Sequence, residues 1–309
     1  MLGQSMSMSR SSRQWLILIV LMVAGPLASS GQGRDASDAA EAAEERSPRL
    51  ALWERFAPIG GGGETSVDSE NAYITIHRPV NANGTAVVIC PGGGYAGLVV
   101  GPEGHGIANW LNGFGITGVV LEYRLPKHRH AVPLLDAQRA IRLVRSKAAS
   151  LGLDRQRIGI MGFSAGGHLA STAATHFDAG DVSSSDPVAK ESCRPDFGVL
   201  VYPVVTMTAS THGGSKGNLL GPSPTDDLID FYSNEKQVTA NTPPIFMAHA
   251  LDDRPVPIEN SRLLNRALHK HGVPSVLLEL ESGGHGLNGY RGPMWDRWQK
   301  DSIEWIKEL

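Results

Sequence analysis

Gly162-Phe163-Ser164-Ala165-Gly166 is the stretch whose reading decides the fold. Before it, Arg157-Ile158-Gly159-Ile160-Met161 reads as a short buried strand. After it, Gly167-His168-Leu169-Ala170-Ser171-Thr172-Ala173-Ala174 reads as a helix. A G-x-S-x-G pentapeptide on a strand–turn–helix is a nucleophile elbow: the serine sits on a strained turn that exposes its oxygen at the C-terminal edge of a sheet. Glycine is required at 162 and 166 because a side chain at either place collides with the neighbouring strand or helix. The pentapeptide alone recurs by chance, so the expectation of a nucleophilic serine rests on the flanking strand and helix.

Outward from the elbow, strands alternate with helices from about residue 71, the pattern of an α/β sheet. The predicted strands are Tyr73–His77, Ala86–Cys90, Gly118–Leu121, Arg157–Met161, Gly198–Tyr202, Ile245–His249 and Val276–Leu280. They are Val-, Ile- and Leu-rich without clean alternation, as expected of mostly parallel strands covered by helices on both faces. Helices are predicted near His105–Leu111, Asp136–Ala149, Ala165–His176 and Asn260–His271, with Asp136 as an N-cap and Gly272 as a C′ glycine. Residues 178–194 and 204–243 do not read as core. The second segment follows the strand after the elbow, where either a substrate-shaping lid or a plain surface loop is expected. No fixed-period repeat is present.

The 309 residues are 41% hydrophobic and 19% charged, which suits one large α/β domain. A formal net charge of -3 gives no electrostatic reason to expect nucleic acid. Residues 1–30 read as an export signal, with Arg10 and Arg13 before an apolar run from Trp15 to Ala24, a break at Gly25-Pro26 and small residues at Ala28-Ser29-Ser30. That run is roughly half the length of a membrane span, which favours a cleaved signal over an uncleaved anchor, so no span is expected in the mature protein. No cysteine follows it and no Arg-Arg pair precedes it, so the general secretory route to a secreted or periplasmic product is expected. Residues 31–50 read as a linker, Gly60–Gly63 as a flexible loop, and 51–309 as the catalytic domain. Cys90 and Cys193 are too few for a disulfide scaffold and are expected to be buried, unreactive thiols, although sequence leaves open whether they meet.

A serine hydroxyl needs a neighbouring base, and the base needs an orienting carboxylate. In this topology they follow the serine in the order acid, then histidine. His249-Ala250-Leu251-Asp252-Asp253-Arg254-Pro255-Val256-Pro257 comes directly after a strand, and Asp252 and Asp253 compete for the acid's role. Ser282-Gly283-Gly284-His285-Gly286 is a flexible loop at the same sheet edge, which makes His285 the expected base. Oxyanion donors are expected at the N–H of Ala165, at a helix N-terminus, and at Gly93 and Gly94 in Pro91-Gly92-Gly93-Gly94-Tyr95.

These residues resemble an α/β-hydrolase of the secreted esterase branch that includes acetyl xylan esterase-like and feruloyl esterase-like proteins. The match runs through Cys90-Pro-Gly-Gly-Gly-Tyr95, Asp136-Ala-Gln-Arg-Ala140, Gly162-Phe-Ser-Ala-Gly-Gly-His168, Asp253-Arg-Pro-Val-Pro257 and Gly283-Gly-His-Gly286. The resemblance covers roughly residues 50–309 and implies an α/β-hydrolase fold and a serine carboxylic ester hydrolase with Ser164, Asp253 and His285 as its triad. The family's Asp-x-x-Val-Pro pattern places the acid on Asp253. The family's frequent His-Gly-Gly-Gly is here Pro91-Gly92-Gly93-Gly94, which keeps the glycines. The implied substrate is an acetylated polysaccharide or oligosaccharide, with no cofactor and no metal. Substrate carries over less well than fold, because the scaffold serves many acyl groups.

Other motifs have competing readings. Gly92-x-Gly94-x-x-Gly97 mimics a dinucleotide fingerprint, but Gly101 and Pro102 are expected to prevent a helix from starting in time, so the oxyanion-loop reading is preferred over NAD. His128 and His130 lack a third metal ligand in view and read as a solvated loop. His168 is expected to be structural, and Trp110, Trp295 and Trp298 to be packing residues. Tyr95, Glu103 and His105 are candidate pocket residues beside the oxyanion loop. A prolyl-oligopeptidase-like peptidase shares the triad but carries a propeller domain, which is not expected here, and a non-catalytic scaffold protein would normally lack a triad member.

Overall fold

The central strands are apolar on both faces, and the sheet they build is accordingly sandwiched. The computed structural model describes residues 47–53, 57–58 and 71–309, all within a compact unit spanning Ala43–Leu309. Its eight strands are β1 (Arg49–Ala51), β2 (Tyr73–His77), β3 (Ala86–Cys90), β4 (Thr117–Glu122), β5 (Ile158–Phe163), β6 (Gly198–Val201), β7 (Ile245–Ala250) and β8 (Ser275–Leu280). They pair in the order β1-β2-β4-β3-β5-β6-β7-β8. Pairing is parallel from β4 to β8, while β1–β2 and β2–β4 are antiparallel. β3, β5, β6 and β7 are buried throughout.

Alternate side chains of one strand enter different cores. Val88 and Cys90 join one apolar cluster, and Val87 and Ile89 the other. The first face is covered by α2 (Ala131–Ser146), α3 (Ala165–Thr175) and α6 (Glu259–Lys270). The second is covered by α1 (Gly106–Asn112) and α7 (Pro293–Glu308), whose Trp295 and Trp298 pack with Phe163 and, through Trp298, with Trp110. The three tryptophans are thus packing residues, as expected. Between β6 and β7 lie α4 (Gly213–Leu220), α5 (Asp226–Phe231) and a 3-10 turn at Asn234–Lys236.

Several expectations are corrected. Arg49 and Leu50, expected in the linker, extend the sheet as part of β1, where Arg49 forms an ion pair with Glu122. Asp136 is not an N-cap. α2 starts five residues earlier, because Pro133 in a first turn lacks only an N–H that would have had no helical partner. Asp136 is instead wholly buried, accepting from the Arg124 guanidinium at 2.7 Å, the Arg124 N–H at 2.9 Å and Trp53 Nε1 at 2.8 Å. Gly101-Pro102 does not prevent a helix: a π turn over Gly101–His105 leads directly into α1, with His105 N–H donating to the Val100 carbonyl at 2.8 Å. The export signal and the Gly60–Gly63 loop lie outside the described residues. Among the described residues, no helix is long and apolar enough to cross a membrane. Cys90 and Cys193 are buried, unpaired thiols, and burial pushes both upward in pKa.

Candidate active site

Parallel strands deliver their C-terminal loops to one edge, and the predicted residues meet there. β5 ends at Phe163 and α3 begins at Ala165, leaving Ser164 to turn the chain at φ 53°, ψ -118°, a conformation that non-glycine residues avoid. Close packing enforces that turn. A Cβ on Gly162 would lie 2.1 Å from the Gly166 carbonyl oxygen, and one on Gly166 would lie 2.1 Å from that of Cys90. Ser164 is held by its N–H to Val201 O at 3.1 Å, and its carbonyl accepts from His168 and Val204 N–H.

His285 stands 2.8 Å from Ser164 Oγ through Nε2 and 2.8 Å from Asp253 Oδ2 through Nδ1. A carboxylate can only accept, so Nδ1 carries the proton and Nε2 is free to accept from the serine hydroxyl. Asp253 is 5% exposed. Burial pushes its pKa up, but bonds from His249, His285 and the Val256 N–H outweigh that and hold it at about 2. The neighbouring Asp252 has a different task, accepting from the N–H of Gly284 at 2.8 Å and of Gly283 at 3.3 Å and so tying the acid loop to the histidine loop.

The Gly92–Leu98 loop folds onto the elbow. A Cβ on Gly92 would lie 2.8 Å from Phe163 O and 3.0 Å from Ser164 Cβ. Gly93 and Gly94 have φ of 128° and 64°, which glycine alone adopts without strain. Among the described residues, no carbonyl accepts from the N–H of Gly93, Gly94 or Ala165, so all three remain available as donors.

Of the three candidate pocket residues, only Glu103 links the Gly92 loop to Tyr202 and Tyr290. It is 3% exposed, with Oε2 accepting the Gly92 N–H at 2.7 Å and Oε1 accepting the hydroxyls of Tyr202 at 3.0 Å and Tyr290 at 3.1 Å. Burial raises its pKa, and those same bonds oppose the rise. Tyr202 also packs its ring on His285, with centroids 4.9 Å apart. Tyr95 does not line the pocket: its phenol is buried in the core and donates to His168 Nδ1 at 2.8 Å. His105 turns to His77 at the end of β2, 2.9 Å away. His168 is structural, its other nitrogen donating to the Tyr232 carbonyl at 2.8 Å. His130 is bonded to the Tyr232 hydroxyl at 3.0 Å and is less solvated than expected.

Sequence reasoning missed Tyr202, His249, His212 and Asn218. Tyr202 and His249 each sit at the C-terminal end of a strand on the elbow's own sheet edge, and that position was the available signal. His212 and Asn218 belong to the segment after β6, where no pattern distinguished a lid from a loop.

The chain matches the family model described as BD-FAE over residues 74–268. It is 37% identical over 235 residues to endo-1,4-beta-xylanase B of Butyrivibrio fibrisolvens, covering 74% of this chain and 36% of that one. It is 34% identical over 248 residues to an acetylxylan esterase of Xylanibacter ruminicola, covering 78% of this chain and 49% of that one. The chain therefore spans half or less of the length of these two curated relatives. Among solved structures, an acetyl ester-xyloside bifunctional hydrolase from Caldicellulosiruptor lactoaceticus superposes with a TM-score of 0.79 at 40% identity, covering 85% of this chain and 96% of that one.

Proposed function

The chain belongs to the BD-FAE family of α/β-hydrolases, and from that premise we propose that it is a serine ester hydrolase that deacetylates xylan-type polysaccharides or oligosaccharides. The observation that carries this reading is the unbroken line from Ser164 Oγ through His285 to Asp253, both links 2.8 Å long. Ser164 Oγ attacks the acetyl carbon as its proton passes to His285 Nε2. The carbonyl electrons move to an oxyanion held by the N–H groups of Ala165, Gly93 and Gly94. The C–O bond to the sugar then breaks, and His285 returns the proton to the departing alcohol. Water enters by the same route and releases acetate. Asp253, anionic through the physiological range, keeps Nδ1 protonated and stabilises the transient imidazolium.

Names of relatives support the acetyl substrate, and residues 1–30 support export to the periplasm or medium. The test is acetate release against ferulate release from substituted xylo-oligosaccharides, with 4-nitrophenyl acetate as the general ester. Acetate release that disappears in Ser164→Ala supports the reading. Dominant ferulate release changes the acyl group, and no cleavage of any ester overturns the whole assignment.

A further inference from the structure

The segment after β6 carries a histidine over the oxyanion loop. His212 caps α4: the Ser215 N–H donates to its Nδ1 at 3.2 Å, and Ser215 Oγ stands 2.8 Å from the same atom. A ring nitrogen that accepts from an amide carries no proton, so the neutral ring holds its proton on Nε2. Among the described residues, Nε2 has no hydrogen-bond partner. The ring is half-buried, and its Cε1 lies 3.9 Å from the place a Cβ on Gly94 would occupy.

That placement is held from two sides. Asn218, on the same helix, donates from Nδ2 to the Gly94 carbonyl at 2.9 Å, so α4 grips the oxyanion loop directly. On the approach to α4, the buried Asn260 accepts the N–H groups of Val205 and Thr206 at 3.0 and 3.2 Å and donates to Ser210 O at 2.9 Å. Lys216 Nζ donates to Met207 O at 2.7 Å. Burial and the nearby His285 lower the pKa of His212, only partly offset by Asp253, which keeps the ring a neutral donor. A donor fixed this firmly beside a reacting centre is preorganised for a ligand.

The carbonyl oxygen of the ester already has backbone donors, whereas nothing yet described binds the alcohol half. His285 hands its proton to that half, and His212 stands over the Gly92–Leu98 loop, which folds onto Ser164, the partner of His285. We infer that His212 is a specificity-determining residue whose Nε2–H donates to a sugar hydroxyl next to the acetylated one, which selects polyol esters over simple esters. This rests on the esterase reading above.

The test compares wild type with His212→Asn and His212→Ser, because both replacements are good N-caps and keep α4 capped. The substrates are a monoacetylated xyloside, its deoxy analogue lacking the neighbouring hydroxyl, and 4-nitrophenyl acetate. For the xyloside, kcat/KM should fall about tenfold in both variants, the size of one hydrogen bond. For 4-nitrophenyl acetate it should stay within about twofold. Wild type should disfavour the deoxy analogue by a similar factor, and the variants should not. Equal losses on all three substrates, or a wild type indifferent to the missing hydroxyl, overturn the inference while leaving the esterase intact. A wild type inactive on every ester instead overturns the esterase reading.

Discussion

Replacing Glu103 by alanine removes one carboxylate that three donors share, and the consequences can be followed atom by atom. The Gly92 N–H and the Tyr202 hydroxyl are buried and lose their acceptor, while the half-buried Tyr290 hydroxyl can turn to water. Leaving a buried donor unpaired costs about 1–3 kcal/mol, so two such donors put the loss of stability at about 2–6 kcal/mol. The catalytic effect arises separately. Gly92 anchors the turn that presents Gly93 and Gly94, and Tyr202 is the wall against which His285 rests. Displacing one oxyanion donor typically lowers kcat by about 10²–10³. Glu103→Gln is the informative partner: its carbonyl can still accept from Gly92 while its amide donates to the tyrosines, so it should keep most of the stability and lose about tenfold or less in kcat. Urea unfolding gives the first quantity, and 4-nitrophenyl acetate turnover at saturation gives the second. A folded Glu103→Ala variant with kcat within threefold of wild type would refute the reasoning, because the carboxylate would then support the core without positioning the site.

Three further outcomes are expected. Asp253→Asn should lower kcat by several orders of magnitude through the wrong imidazole tautomer, whereas Asp252→Asn should cost far less because it only loosens the Gly283-Gly284 contacts; steady-state kinetics that rank them in reverse would move the acid's role to Asp252. Gly166→Ala should destabilise by about 1–3 kcal/mol or more, since its Cβ would fall 2.1 Å from the Cys90 carbonyl oxygen, and an unchanged urea midpoint would contradict that packing. His168 is wholly buried, and burial, opposed by its bond to Tyr232 O, lowers its pKa to about 4. The unfolded value is about 6.5, so the unfolded chain binds more protons between those limits and stability falls as pH drops through that window. The His168 contribution to that loss is about 2–3 kcal/mol by about pH 4.5, and denaturant titrations of wild type and His168→Gln should differ in pH dependence in that direction and by about that amount.

Strands β2 and β3 run as the sequence predicts, and β4 to β8 differ by a residue or two, because apolar β-branched runs bounded by turns are local signals. β1, a three-residue edge strand beginning with an arginine, carries no such signal. The elbow was equally legible, since strain, glycine and helix start all fall within one pentapeptide. The start of α2 was misread because Asp136 has the composition of a cap, and only its buried bonds to Arg124 and Trp53 reveal its place inside the helix. The helical turn at Gly101–His105 was misread because proline obstructs a helix interior but not a first turn. α7 and the three short helical pieces between β6 and β7 were not predicted at all.

By itself the sequence determined strands β2 to β8 to within a residue or two and the elbow, because each depends on residues adjacent in the chain. It also offered Ser164, the Asp252-Asp253 pair and His285 as candidates, because each follows a predicted strand. Choosing between Asp252 and Asp253 needed either a family pattern or the fold, since both occupy the same loop and only the side-chain direction separates them. The support around the site was decided by tertiary structure alone. Glu103 meets Tyr290 across 187 residues, and Asn218 meets Gly94 across 124. Hydrogen bonds of that range arise from how loops pack at one sheet edge, and no local periodicity encodes them.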